Sequence, residues 1–211
     1  MNRLFQKLFK HNSAPVAPAS PKPIIIVSGL PRSGTSMMMK ILEAGGLPVL
    51  TDALRTADDD NPKGYYEYER VKQLDKGDHA WLAEAQGKVV KVISALLMYL
   101  PPAHQYRVIF MQRNLAEVLA SQRKMLAHRG EQANAANDAE VAPLFEKHVQ
   151  ATKTWLQTQP NIILLEIDYN QLMADPMPYL QAINRFLGNT LFLERMAQAI
   201  DPELYRNRSE R

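Results

Sequence analysis

The chain has no cysteine, so disulfides and thiolate metal sites are excluded; the absence does not distinguish reducing from oxidising compartments. It has no uninterrupted apolar run long enough to span a bilayer. A strong charge of one sign is missing too. The 25 Lys and Arg against 22 Asp and Glu leave a net charge of +3. That is too little to argue for a nucleic-acid partner, and none is expected; a small anionic ligand fits equally well. The last lack is local. Residues 29–36 read GLPRSGTS, with Gly29 and Gly34 spaced as in a phosphate-binding P-loop, G-x-x-x-x-G-K-[ST]. Where that loop needs lysine, this chain has Thr35, and the nearest cation inside the loop is Arg32.

What is present describes a globular domain. Hydrophobic residues make up 46% and charged residues 22% of 211, a size for one domain and one core. Residues 1–22 read as a basic tail followed by a Pro/Ala-rich linker, and residues 23–211 as the folded domain. In the tail, Leu4, Phe5, Leu8 and Phe9 share one helical face. That face could touch a membrane surface weakly; the alternative is a frayed basic tail. No long apolar segment of a secretory signal is present, and a cytoplasmic protein is expected.

Apolar β-branched runs predict strands at Ile24–Ser28, Lys88–Ile93, Arg107–Gln112 and Asn161–Ile167. Helices are expected over Thr35–Ala44, Tyr65–Glu84 with a break near Gly77, Leu115–His128 capped by Asn114, Ala142–Thr158 and Pro178–Leu187. A further helical stretch follows from Thr190. The strands are apolar throughout rather than alternating, and they alternate with helices. The expected fold is therefore α/β: a P-loop NTPase-like, three-layer arrangement with a mainly parallel sheet flanked by helices. Ligands of such sheets bind at the carboxyl ends of the strands, where GLPRSGTS, Lys91 with Ser94, and Gln112-Arg113 would all sit.

A glycine turn between a strand and a helix aims backbone N–H groups at an anion, and the helix dipole adds to them. Thr35 and Ser36 add hydroxyls. Arg32 adds a charged fork suited to phosphate or sulfate oxygens. Without the lysine, a triphosphate would lose a principal clamp. A donor with a single group at its 5′ end needs less.

Pro31-Arg32-Ser33-Gly34-Thr35-Ser36 resembles the loop P-[KR]-S-G-[TS]-[TS] of the sulfotransferase superfamily, which holds the 5′-phosphosulfate of 3′-phosphoadenosine 5′-phosphosulfate (PAPS). The same family binds the 3′-phosphate with an arginine at a strand end and a serine eight residues on; Arg113 and Ser121 in RNLAEVLAS match. Tyr169–Pro176 (YNQLMADP) and Phe186-Leu187-Gly188 match a late family segment. The resemblance implies transfer of a sulfuryl group from PAPS to a hydroxyl or amine by in-line displacement, with no metal. It implies that Arg32 contacts the transferring group and the 5′-phosphate, that Ser33, Gly34, Thr35 and Ser36 hold the 5′-phosphosulfate, and that Tyr169 contacts adenine.

The base is less legible. Cytosolic relatives carry a K-T-H motif; here it reads Lys91-Val92-Ile93, so the lysine matches and the histidine does not. Glu67 is the candidate base, because NPKGYYEYER resembles the N-P-x-G-[YF]-x-E segment of bacterial and carbohydrate-type sulfotransferases. A solvated carboxylate is the alternative. His79, His104, His128 and His148 match no family position and read as solvated. Asp58, Asp59 and Asp60 read as an acidic turn, and Arg206 and Arg208 as a solvated tail or a late loop near the 3′-phosphate. Two other functions stay open: a P-loop kinase or NTPase using Glu166 or Asp168 for magnesium, and a non-catalytic nucleotide-binding protein. The acceptor and the oligomeric state are not written in the sequence.

Overall fold

The computed structural model describes residues 21–52, 54, 64, 66–128, 130 and 138–201. The expectations for the N-terminal tail, for Asp58, Asp59 and Asp60, and for Arg206 and Arg208 lie outside the described residues. Four strands, β1 (Ile24–Gly29), β2 (Val89–Lys91), β3 (Tyr106–Gln112) and β4 (Ile162–Asp168), form one sheet in the order β2-β1-β3-β4. Every pairing is parallel. The fold is the expected α/β sheet flanked by helices.

The continuous apolar runs are explained by burial on both faces. Ile25 and Val27 of β1, with Ile109 and Met111 of β3, pack against helices α1 (Thr35–Ala44), α4 (Tyr169–Ala174), α5 (Pro176–Phe186) and α6 (Leu193–Gln198). Ile24 and Ile26, with Val108 and Phe110, pack the other way. They meet Leu156 of α3 (Asp138–Thr158) and the 3-10 turns that carry Leu74, Trp81 and Leu97. Alternate residues of a strand point to opposite faces, so one strand supplies both cores. Helix α2 (Leu115–His128) follows β3 directly.

The strand order places a topological switch between β1 and β3. The chain leaves β1 towards β2 on one side and returns to β3 on the other. The loops after β1 and β3 therefore splay apart at their carboxyl ends and leave a crevice.

Several elements differ from the sequence reading. Over Tyr65–Glu84 the break falls at Gly77 as expected, where φ is 84°, but the segments on either side, Glu69–Lys76 and Ala80–Ala83, are 3-10 turns rather than α-helix. Strand β2 is three residues, Val89–Lys91, and the chain then turns into a 3-10 segment, Ser94–Tyr99. Helix α3 starts earlier, at Asp138, with Pro143 inside it. Proline removes one backbone donor and does not stop the helix here. Tyr169–Ala174 is helical because Asp168 caps it, accepting the Gln171 N–H at 2.9 Å. Among the described residues no helix is long and apolar enough to cross a membrane.

Ile109 is fully buried at the centre of the sheet, between Val27 and Leu165 in register. Ile109→Ala should cost about 2–5 kcal/mol, the range for emptying a packed core site, read as a lower urea midpoint with an unchanged slope.

Candidate functional site

The loop after β1 is a tight turn of unusual backbone. Gly34 takes φ 95° and Arg32 takes φ 71°, the left-handed region that non-glycine residues rarely adopt. Ser33 fixes the turn, donating from its N–H and its Oγ to the Leu30 carbonyl at 3.2 and 2.7 Å. No side chain caps α1, whose N-cap is Gly34. Glycine is required there for a second reason. A Cβ on Gly34 would lie 2.3 Å from Cδ2 of Tyr169, inside the ring's van der Waals surface.

Two arginines are tied together behind this loop. Arg32 Nε donates to Ser121 Oγ at 2.9 Å, joining the loop to α2. Arg113, at the end of β3, donates from Nη1 to the Arg32 carbonyl at 3.2 Å and from Nε to Glu117 Oε2 at 2.9 Å. The Arg113 and Glu117 side chains are only 7% and 2% exposed, so each needs the other's charge. Glu117 Oε1 accepts from Asn170 Nδ2 at 3.0 Å, and Asn170 Oδ1 accepts from the Asn114 N–H at 3.0 Å. The Arg113 guanidinium lies 4.5 Å above the centre of the Tyr169 ring. Asn114 Oδ1 accepts from the Ala116 N–H at 2.9 Å, the cap that the sequence predicts for α2.

Of the residues named from sequence, the structure thus brings Arg32, Ser121, Arg113, Gly34 and Tyr169 into one cluster. Pro31, Ser33, Thr35 and Ser36 belong to the same loop and first helical turn. Tyr169 is 4% exposed, its ring packed against Gly34 and under the Arg113 guanidinium. Sequence reasoning missed Glu117 and Asn170. Glu117 had a signal, since it lies four residues after Arg113 at a helix start, the spacing of a helical ion pair. Asn170 had none, because its partners are more than fifty residues away.

A second group gathers beyond β2. Lys91, its side chain 10% exposed, places Nζ 3.8 Å from Glu67 Oε1, and Lys72 Nζ is 3.8 Å from Oε2. The Glu67 backbone is pinned as well, its carbonyl accepting from Thr51 Oγ1 at 2.7 Å and the Asp52 N–H at 3.3 Å. Glu67 therefore engages two ammonium groups rather than standing as a solvated carboxylate. Tyr66, at φ 52°, donates to Glu43 Oε2 at 2.5 Å. Burial and then that bond hold its hydroxyl proton well above the usual tyrosine range. Ser94, buried two residues after β2's extension, lies 2.8 Å from His148 Nε2 of α3. The reading of His148 as solvated is corrected: the fold carries it onto a buried hydroxyl.

A glycine loop between a parallel strand and a helix, with two arginines behind it at the switch point of the sheet, is the architecture of a P-loop-like α/β domain. The chain belongs to the sulfotransferase domain family, whose model matches residues 22–207. Among solved structures it is similar to the sulfotransferase STF1 of Mycobacterium tuberculosis H37Rv, at 16% identity and TM-score 0.54, covering 85% of this chain and 71% of that one. It is also similar to the sulfotransferase STF9 of Mycobacterium avium, at 15% identity and TM-score 0.50, covering 85% and 68%. At such identities the likeness is one of fold. No curated protein matches the chain.

Gly34→Ala should be destabilising through both the positive φ and the collision with Tyr169. Combined with Tyr169→Ala, the collision is relieved and the backbone strain of about 1 kcal/mol stays. The double variant should therefore melt higher than the sum of the two single losses predicts, which a double-mutant cycle measures.

Proposed function

We propose that the protein transfers a sulfuryl group from PAPS to a hydroxyl or amine of an acceptor. The observation that carries this reading is the bonded bridge Arg113–Arg32–Ser121, which links the loop suited to a 5′-phosphosulfate with the pair suited to a 3′-phosphate. A nucleotide with anionic groups at both ends fits such a bridge better than a triphosphate. The fit is one of charge: Arg32 and Arg113, tied together behind the loop, supply positive charge where the P-loop lysine is missing.

In this mechanism, Ser33, Gly34, Thr35 and Ser36 receive the 5′-phosphosulfate through the loop and the first turn of α1. Arg113 and Ser121 receive the 3′-phosphate. Glu117, Asn170 and the Tyr169 ring hold Arg113 in place. Arg32, now on Ser121, is the side chain able to turn towards the bridging oxygen as the S–O bond breaks. A cation there is worth about 3–4 kcal/mol, by the measure of a lost oxyanion donor. Lys91 approaches from β2. Its orientation depends on Glu67, so we assign Glu67 to holding Lys91, and the acceptor's proton requires another group.

The kinase reading asks for an acidic residue available to magnesium. Asp168 is occupied as the cap of α4, and Glu166 Oε2 is 2.6 Å from Lys153 Nζ and also accepts from Gln112. Both observations favour the sulfotransferase reading.

Calorimetry with 3′-phosphoadenosine 5′-phosphate (PAP) against ATP–Mg tests it. PAP should bind without metal, and Arg113→Ala should weaken it about 10- to 100-fold, the value of hydrogen bonds to a charged group. Preference for ATP–Mg would overturn the reading. Glu67→Gln should lower turnover far more than PAP affinity. Equal turnover in that variant would remove Glu67 and its hold on Lys91 from the mechanism.

A further inference from the structure

The family histidine is absent at Ile93, yet an imidazole reaches the neighbouring residue from elsewhere in the chain. Strands β1 and β2 pair in a fixed register, Val27 opposite Lys91. The Val92 N–H continues it, donating to the Val27 carbonyl at 3.0 Å. Ile93 and Ser94 therefore leave the sheet level with Gly29 and Leu30, where β1 gives way to the glycine loop. Ser94 Oγ is 2.8 Å from His148 Nε2, and Ser94 is 4% exposed. Ile93, beside it, is 46% exposed, so its own side chain faces outward. Helix α3 packs both on the Ser94–Tyr99 segment and on β4, which fixes His148 at this corner.

We propose that Ser94 and His148 form the proton relay for the acceptor in this reaction. The proposal rests on the sulfotransferase reading and goes beyond it by naming where the proton goes. The acceptor oxygen forms its bond to sulfur while the bond from sulfur to the bridging oxygen breaks. The electron pair of that broken bond leaves on the 5′-phosphate of PAP. The acceptor's proton passes to Ser94 Oγ as the Ser94 proton passes to His148 Nε2, leaving an imidazolium and restoring the serine hydroxyl. Charge is conserved: a neutral imidazole and a hydroxylic acceptor give an imidazolium and a sulfate ester, and PAP carries the remaining negative charge. Imidazole suits the task because it gains and loses a proton near neutral pH. The relay requires the tautomer in which Nε2 accepts from Ser94 and Nδ1 carries the proton.

Glu67 is ion-paired with Lys91 and Lys72, each at 3.8 Å. Among the described residues no ion pair involves His148, and its contact with Ser94 joins α3 to the segment that follows β2. A tie that merely fastened α3 to the 3-10 segment would give the same distance. The experiment must therefore read more than stability.

The full-length chain, labelled with 15N-histidine, is titrated with PAP and then with PAPS, and calorimetry on the same samples measures binding. The His148 ring resonances, assigned with His148→Gln, should shift with PAPS beyond their shift with PAP, because only PAPS brings the sulfonate to the Ser94 edge. In parallel, PAP release from PAPS is followed against pH with 4-methylphenol as the acceptor probe. Its rate should rise along a one-proton limb that is lost in His148→Gln and Ser94→Ala, returns in Ser94→Thr, and survives in His104→Gln, whose ring lies against Tyr106. Equal His148 shifts with PAP and PAPS, when calorimetry shows both bound, would overturn the relay. So would an unchanged limb in His148→Gln. If neither nucleotide binds, the donor reading itself fails, and that outcome is distinct from both.

Discussion

Arg113 carries a full positive charge into a place where water scarcely reaches, and the rest of the site is arranged around that fact. A buried guanidinium without partners would cost several kcal/mol. Its charge is met by Glu117 on one edge, its flat face by the Tyr169 ring, and one of its nitrogens by the Arg32 carbonyl. Each partner comes from a different element: α2, α4 and the loop after β1. The loop's left-handed residues and the ring beneath Gly34 follow from the need to bring these elements close. The sheet supplies the closeness by setting β1 and β3 side by side at its switch point.

The two corners of the crevice differ in how charge is managed. Behind the loop, Arg113 is neutralised locally by Glu117, so the charge offered to an anion comes from the pair of arginines minus one carboxylate. Beyond β2, Lys91 and Lys72 share Glu67; Lys91 is nearly as buried as Arg113, whereas Lys72 is exposed, so water competes chiefly with the Lys72 pairing.

Much of this was legible in the sequence, for reasons that particular residues make plain. The apolar run from Ile24 reads as a strand covered on both faces, and GLPRSGTS as a glycine turn that starts a helix. Leu115–His128 was bounded correctly because Asn114 is a good cap and supplies its side chain to that end. Tyr65–Glu84 was misread as a helix because helical periodicity and 3-10 turns share the same apolar spacing over short stretches, and Gly77 divides them. At the site, Arg113 and Ser121 were visible as a motif, whereas Asn170 and the meeting of His148 with Ser94 were not. Those contacts join residues 53–56 positions apart, and no local pattern encodes them.

The bridge from Arg32 to Ser121 spans 89 positions of sequence, and that from Arg113 to the Arg32 carbonyl spans 81. Closing such spans costs chain entropy that only a docked sheet repays. A nascent or partly unfolded chain therefore has the loop GLPRSGTS but not its backing of charge. Both ties exist only once β3 is paired with β1, so their integrity reports on whether the chain has finished folding.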